Sequence, residues 1–201
     1  MVNRPNIKIE LGKKTAGKLI KIARKEFGQN GFKKTSMEKI VRLAGVTRGA
    51  LYHHFESKEG LFVAVFEKAM GEITDRCKEK QSQTNDPWEK LISTAEALFT
   101  ACTDPEIQII VFCDAPAILG MGTWRKNREN KTMVMFKDIL TELIDQKIIN
   151  PLPINALAHT IWGASTELIM WISYVTGSRE HYEEAFNTFV EILKSLKTNT
   201  K

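Results

Sequence analysis

The residues best placed to do chemistry stand close together, in the stretch AGVTRGALYHHF from Ala44 to Phe55, which carries Thr47, Arg48, Tyr52, His53 and His54. A pair of histidines raises the question of a metal or acid-base site. Adjacent residues on a helix point about 100° apart, however, which is poor geometry for shared coordination. Cys77, Cys102 and Cys113 are odd in number and no two have C-x-x-C spacing, so neither a zinc ribbon nor a disulfide framework is indicated. Reduced thiols are the expectation, with a redox switch through Cys102 and Cys113 as the alternative. The chain has no nucleophile elbow, no H-E-x-x-H and no phosphate-cradling glycine loop, so it reads as no enzyme, with no metal and no cofactor. What remains is a cluster of hydroxyl, phenol, imidazole and guanidinium groups, which suits phosphates and base edges.

Charge supports that direction. Residues 1–60 carry 14 Lys and Arg against 5 Asp and Glu, a net +9, so the remainder of the chain holds −4 of its overall +5. A small basic module joined to a larger acidic one suggests that the first meets a polyanion. With 43% hydrophobic residues over 201 positions, the chain can bury a proper core. No apolar run marks a membrane span, and the N-terminal stretch lacks the features of a secretory signal, so no membrane partner and a cytoplasmic location are expected.

The elements that must position these groups are helical almost throughout. Ala16, Leu19, Ile20, Ala23 and Phe27 fall on one face of a first helix, with Gly31 as its C-cap. Thr35-Ser36-Met37-Glu38 reads as a capping box, and Met37, Ile40, Val41 and Ala44 form the buried stripe of a short second helix stopped by Gly45. Thr47 is a suitable cap for a third helix of under two turns, and Ser57 for a fourth with Leu61, Phe62, Val65, Ala69 and Ile73 inward. Two helices joined at a glycine, the second exposing Thr47, Arg48, Tyr52 and His53, form a helix-turn-helix candidate. Gly49 costs about 1 kcal/mol in a helix relative to alanine, which makes sense if that helix must approach DNA closely. His54 is expected to point back toward the domain and Phe55 to pack in its core.

Farther along, Asp86-Pro87-Trp88-Glu89 starts a fifth helix and Asp104-Pro105-Glu106 a sixth, which is expected to kink or end at Pro116. Met133, Phe136, Leu140, Leu143 and Ile144 define a seventh. An eighth, about 153–177, looks apolar on every side, with one stripe of Leu157, Ile161, Ala164, Leu168, Trp171 and Val175 and another of Ala158, Trp162, Ser165, Ile169 and Ile172. Tyr182, Ala185, Phe186, Phe189, Leu193 and Leu196 define an amphipathic ninth. Burying both stripes of the eighth helix calls for a second copy of the chain, which predicts a four-helix interface in a homodimer. Glu167 is the only Asp, Glu, Lys or Arg in that helix. It and Asp114, just before Pro116, either satisfy buried partners or contact a ligand. The whole reads as all-α, about nine helices, with a division into 1–57 and 58–201 and the helix from Lys58 connecting the two.

The segments F-G-Q-N-G-F-K-K-T-S, I-V-R-L-A-G-V-T-R-G-A-L-Y-H-H-F and S-K-E-G-L-F, within about residues 13–66, resemble the N-terminal DNA-binding domain of the TetR family of bacterial transcription regulators. D-A-P-A-I-L-G and P-L-P-I-N-A-L-A-H are similar to segments of its C-terminal domains. The resemblance implies a three-helix DNA-binding domain followed by a helical ligand-binding and dimerisation domain, with a double-stranded DNA operator and a small-molecule inducer as partners. It implies phosphate contacts from Thr35, Ser36, Tyr52, His53 and Lys58, and base-edge contacts from Thr47, Arg48 and Gly49. Phe99, Phe112, Trp124, Met133, Phe136, Trp162 and Met170, with Asp114 and Glu167, lie on helices that enclose the family's ligand cavity, and as a set they favour an apolar or aromatic ligand. Repression relieved by that ligand is the expected mode, with activation as the alternative.

Overall fold

The computed structural model describes residues 4–129, 132–174 and 179–198. Its elements are α1 (Arg4–Lys34), α2 (Met37–Ala44), α3 (Arg48–Phe55), α4 (Lys58–Gln81), α5 (Pro87–Cys102), α6 (Pro105–Ile107), a π-helix (Gln108–Asp114), α7 (Ala115–Leu119), α8 (Met121–Glu129), α9 (Thr132–Asp145), α10 (Ile154–Tyr174) and α11 (Arg179–Lys194). The fold is all-α, and the one β feature among the described residues is an isolated bridge between Ile149 and Lys197. Two compact units form, one from Met1–Ala69 with Pro105–Gly120 and the other from Met70–Asp104 with Met121–Lys201. Residues 105–120 therefore group with the N-terminal helices, where the sequence suggested a single division at 57/58.

In the first unit the apolar stripes of α1, α2 and α4 meet. Leu19, Ala23, Phe27, Ile40, Ala44, Leu51, Leu61, Phe62 and Val65 are wholly buried. Phe27 stacks on Phe32 with ring centroids 5.7 Å apart, and Phe62 closes edge-on against both, at 5.2 and 5.3 Å. One polar anchor crosses this core: the buried Glu26 carboxylate pairs with Lys39 Nζ at 2.7 Å, tying α1 to α2. The α6 segment lies against α1 so closely that a Cβ placed on Gly28 stands 2.7 Å from Glu106 Cβ and 3.0 Å from its Cα. An ion pair, Arg24 Nε to Glu106 Oε2 at 3.4 Å, fastens the same contact.

Residues 105–119 differ from the expected single helix broken at Pro116. They form a turn of α-helix, a seven-residue π-helix and a further short α-helix, with Pro116 in the first turn of the last, where its missing N–H breaks no bond. The α8 helix is not evident in the sequence, because MGTWRKNRE is mostly polar and Trp124 is its one buried large apolar residue.

In the second unit α5, α9, α10 and α11 pack together around Phe99, Phe136, Leu140, Ile169 and Phe189. The N-terminus of α5 follows its expected chemistry: Asp86 accepts from the Glu89 N–H at 2.8 Å, with Pro87 at the first helical position. Glu89 itself accepts from the Thr84 hydroxyl. The segment just after α11 is joined to the one after α9 by two backbone bonds, Asn150 N–H to Leu196 C=O and Thr198 N–H to Ile148 C=O, both 3.0 Å.

In the single chain α10 buries most of both apolar stripes and leaves a third strip open. Ala158, Trp162, Ser165, Ile169 and Ile172 are buried, as are Leu157 and Ile161, whereas Ala164, Leu168 and Trp171 are half-buried. Ala156, His159, Thr160, Gly163 and Glu167 form an exposed strip. Val175 and Gly177, which the expected helix included, lie outside the described residues.

The Gly28 contact predicts a specific sensitivity. Gly28→Ala gains about 1 kcal/mol of helix propensity, yet its methyl group must displace the Glu106 backbone, so the substitution should destabilise the fold by about 1–3 kcal/mol overall. A lowered urea midpoint at unchanged m-value is the expected result; an unchanged midpoint would show that α1 and α6 separate at no cost.

Candidate nucleic-acid interface

The helix-turn-helix is built by caps. Ser36 has extended backbone dihedrals, and its Oγ accepts from the Lys39 N–H at 3.2 Å, starting α2. Gly45 ends that helix in the left-handed conformation, its N–H donating to Arg42 C=O. Two residues later Thr47 Oγ1 accepts from the Ala50 N–H at 3.1 Å and starts α3. Leu51, wholly buried, pins α3 from beneath. Its first residues thus project from the domain, with the end that carries free N–H groups foremost.

On that end Thr47, Arg48 and Gly49 are exposed, and the Arg48 side chain keeps 70% of its surface open to solvent. Its guanidinium lies over the Tyr52 ring, 5.5 Å from the centroid, and approaches Glu38 Oε1 at 3.7 Å. Glu38 also accepts from the Ser36 hydroxyl at 3.0 Å. Its own backbone hydrogen bond, that hydroxyl and the Arg48 charge hold its carboxyl below the usual carboxylate range. The sequence marks Glu38 as a capping residue; its second role, as the anion beside Arg48, is not legible there because the turn at Gly45 brings the two together.

His53 is exposed and Tyr52 half-buried. The His53 and His54 rings stand 5.6 Å apart, and His54 turns back so that its Cε1 lies 3.8 Å from the position of a Cβ on Gly12 of α1. Lys58, half-buried at the start of α4, sits with Nζ 4.6 Å over the Phe32 ring and donates to Lys33 C=O at 3.4 Å. Phe55, expected in the core, is half-buried.

Thr35 corrects the phosphate-contact set. It is only 4% exposed, and its hydroxyl donates to Glu26 C=O at 3.0 Å and Gly31 C=O at 2.8 Å. Its N–H donates to Phe32 C=O, so both donors are committed inside the fold. The capping box also shifts by one: Ser36, not Thr35, caps α2, and Glu38 bonds the Ser36 hydroxyl instead of reaching three residues back.

Five of the residues expected to line a cavity, Phe99, Trp124, Met133, Phe136 and Trp162, are buried in the second unit. Phe136 and Trp162 meet edge-on at 6.1 Å, and Trp124 and Met133 are buried in the same unit. Phe99 belongs to an aromatic group with Tyr182, Phe186 and Phe189. Met170 is half-buried and Glu167 lies on the exposed strip of α10. Phe112 is buried in the first unit, where Asp114 Oδ2 accepts from the Phe32 N–H at 2.7 Å. A cleft of about 350 Å³ between α4 and α5 is lined by Arg76, Glu79, Lys80, Glu96, Ala97 and Thr100, a charged set apart from the apolar one expected.

Among the described residues no three His, Cys, Asp or Glu side chains gather as metal ligands would, and no helix is long and apolar enough to cross a membrane. Cys77, Cys102 and Cys113 are not joined in disulfides. Burial pushes the Cys77 thiol up to about 12, and burial with the neighbouring Asp114 charge raises that of Cys113.

A capped, basic helix-turn-helix followed by a separate helical unit defines a DNA-binding regulator. Comparison with known proteins agrees. Residues 19–65 match the model for bacterial regulatory proteins of the tetR family, and residues 88–196 match the tetracyclin repressor-like C-terminal domain. The chain belongs to the TetR family of transcriptional regulators, and it is not an enzyme. It is similar to a TetR-family regulator from Pectobacterium atrosepticum, with a TM-score of 0.83 and 29% identity over 96% of this chain and 98% of that one. The transcriptional repressor KstR2 of Mycobacterium tuberculosis is 25% identical over 67% of this chain and 69% of its own length. FadR from Bacillus subtilis, solved with stearoyl-CoA, shares the fold at a TM-score of 0.73 and 22% identity over 90% of this chain and 98% of that one.

The Glu38 carboxylate places a negative charge beside Arg48, on the exposed face of the helix-turn-helix. Neutralising it in Glu38→Gln should raise affinity for duplexes of unrelated sequence by about two- to fivefold at low salt, the gain fading as salt screens it. Fluorescence anisotropy across a salt series would test this, and equal affinities at low salt would show that Glu38 exerts no field on the interface.

Proposed function

We propose that this regulator is a dimeric repressor whose two α3 helices enter successive major grooves of a pseudo-palindromic operator, and that a small, largely apolar or aromatic inducer releases it. The observation that carries the reading is the exposed start of α3, where Thr47, Arg48 and Gly49 stand free of the core. Arg48 supplies the fork that bonds O6 and N7 of guanine. Ser36, Tyr52, His53 and Lys58 surround it as phosphate contacts, fixing the register of the helix on the duplex. The absence of a side chain at Gly49 lets the α3 backbone come close to base edges.

The exposed strip of α10 supports the dimer. Ala156, Thr160 and Gly163 are small, so a second α10 can approach closely, and nothing lies within 4 Å of a Cβ built on Gly163 in the single chain. The buried aromatics of the second unit, with Phe136 against Trp162, favour an apolar inducer, which acts by stabilising a conformation in which α4 moves and the spacing of the two α3 helices changes. A redox trigger through Cys102 and Cys113 is disfavoured, because the thiolate is the reactive species and burial with the Asp114 charge raises the Cys113 pKa. Such a regulator works in the cytoplasm, where its operator lies.

A duplex selected from a random pool by the wild-type protein tests the DNA reading. Tyr52→Ala and Lys58→Ala should weaken binding to selected and unrelated duplexes alike, whereas Arg48→Ala should lose about 1–3 kcal/mol on the selected duplex only. Wild-type affinity in Tyr52→Ala would overturn the docking. For the dimer, Gly163→Leu should leave helicity and thermal stability intact while sedimentation at micromolar concentration changes from dimer to monomer; a Gly163→Leu dimer would move the interface elsewhere.

A further inference from the structure

We infer that Asp114 is a positioning residue for DNA binding, acting through the backbone of Phe32 on the Lys58 ammonium and the Ser36 cap. The inference rests on the reading of Lys58 and Ser36 as phosphate contacts. Asp114 lies 82 residues from Phe32 in sequence, and its Oδ2 accepts the Phe32 N–H at 2.7 Å. A carboxylate acceptor at that length makes a charge-assisted bond, stronger than a bond between neutral groups.

Three observations show why that bond matters to the interface. Gly31, at φ 71° and ψ 165°, breaks the helical path of α1 just before Phe32, so the Phe32 N–H points out of the helix and toward Asp114. The same peptide units then carry the start of the helix-turn-helix: Phe32 C=O accepts from the Thr35 N–H, Gly31 C=O accepts from the Thr35 hydroxyl, and Ser36 follows directly. Lys58 is seated on this segment twice, over the Phe32 ring at 4.6 Å and on Lys33 C=O at 3.4 Å. The Asp114 carboxylate thus fixes the residue whose ring lies under the Lys58 ammonium and whose carbonyl takes the Thr35 N–H, directly before the Ser36 cap.

The π-helix supplies the aim. Its N–H groups donate five residues back, as Ala115 does to Ile110 C=O, so the chain winds more slowly than in an α-helix and delivers Asp114 to the side occupied by α1. The close α1 approach at Gly28 and the Arg24–Glu106 pair hold the start of the same segment.

The test measures affinity for the selected duplex by anisotropy at several salt concentrations, for Asp114→Ala, Asp114→Asn, Lys58→Ala and the Asp114→Ala/Lys58→Ala double variant. Asp114→Ala should bind about tenfold more weakly, with the slope of log affinity against log salt shallower by about 0.9 for each phosphate that is no longer neutralised. Asp114→Asn retains an acceptor oxygen but loses the charge, and should bind between wild type and Asp114→Ala. Because Asp114 acts in part through Lys58, the double variant should lose less than the product of the two single losses. A purely structural role gives instead independent, multiplying losses, and that result, or wild-type affinity in Asp114→Ala, overturns the inference. If Asp114→Ala does not fold, Asp114→Glu takes its place, since the extra methylene carries the carboxylate past the Phe32 N–H and must produce the same non-additive loss. A wild-type protein that selects no duplex overturns the DNA-contact reading itself, and this inference with it; selection by the wild type with multiplying losses in the variants overturns this inference alone.

Discussion

Everything in the N-terminal unit depends on where α1 is allowed to stop being a helix. An uninterrupted helix through Lys34 would send Phe32 and Thr35 off the core and leave no start for α2. Gly31 adopts a positive φ that L side chains rarely reach, and the segment after it folds back into the domain. Each polar group exposed by the break is answered locally: the Phe32 N–H by Asp114, the Gly31 carbonyl and the Glu26 carbonyl by the Thr35 hydroxyl. The Phe27–Phe32–Phe62 cluster supplies the apolar weight that makes the fold-back worthwhile. Buried turns survive only when their freed donors and acceptors are paired in this way.

The same pairing rule explains how a surface of donors stays exposed. A capping hydroxyl uses a lone pair on a helix N–H, which leaves its own O–H to donate. Thr47 is in that state, oriented by Ala50, and Ser36 is in it too, with its O–H directed at Glu38. Arg48 carries donors alone. The face that α3 presents is therefore rich in donors and poor in acceptors apart from Glu38, which matches phosphate oxygens and the acceptor-bearing purine edges of the major groove.

Much of this is legible in the sequence, and the reasons for the rest are physical. The caps at Thr47, Ser57 and Asp86 and the buried stripes of α1, α2 and α4 are local or strictly periodic, so residue order displays them. The contact of Asp114 with Phe32 and that of Glu38 with Arg48 are made by chain reversals, which no spacing rule encodes. Thr35 and Ser36 are adjacent hydroxyls of almost equal capping propensity; which one faces outward is decided by Glu26 C=O and Gly31 C=O, two acceptors that exist only after α1 has broken. The π-helix is hidden for a similar reason. QIIVFCD is as apolar as a buried α-helix, and its slower winding follows from packing on α1, not from composition. Most of the apolar residues singled out between 99 and 170 are buried, but burial alone does not sort a ligand wall from a core.

The α10 helix shows how the size of its residues, and not only their hydropathy, decides which face is buried within one chain. Alanine and glycine count as apolar in a periodicity, but they bring little area, so a face made of Ala156, Thr160 and Gly163 gains almost nothing from being buried within its own chain. The face opposite, with Trp162, Ile169 and Ile172, brings large area and takes the interior. What is left outside is a strip that neither demands cover as a greasy patch would nor blocks close approach as lysines or glutamates would. A strip of that kind exacts a small desolvation cost when another helix is laid along it, and such an association is governed by shape. Selection by fit instead of by hydrophobic area is what a symmetric pair requires if two DNA-reading heads are to keep one fixed spacing.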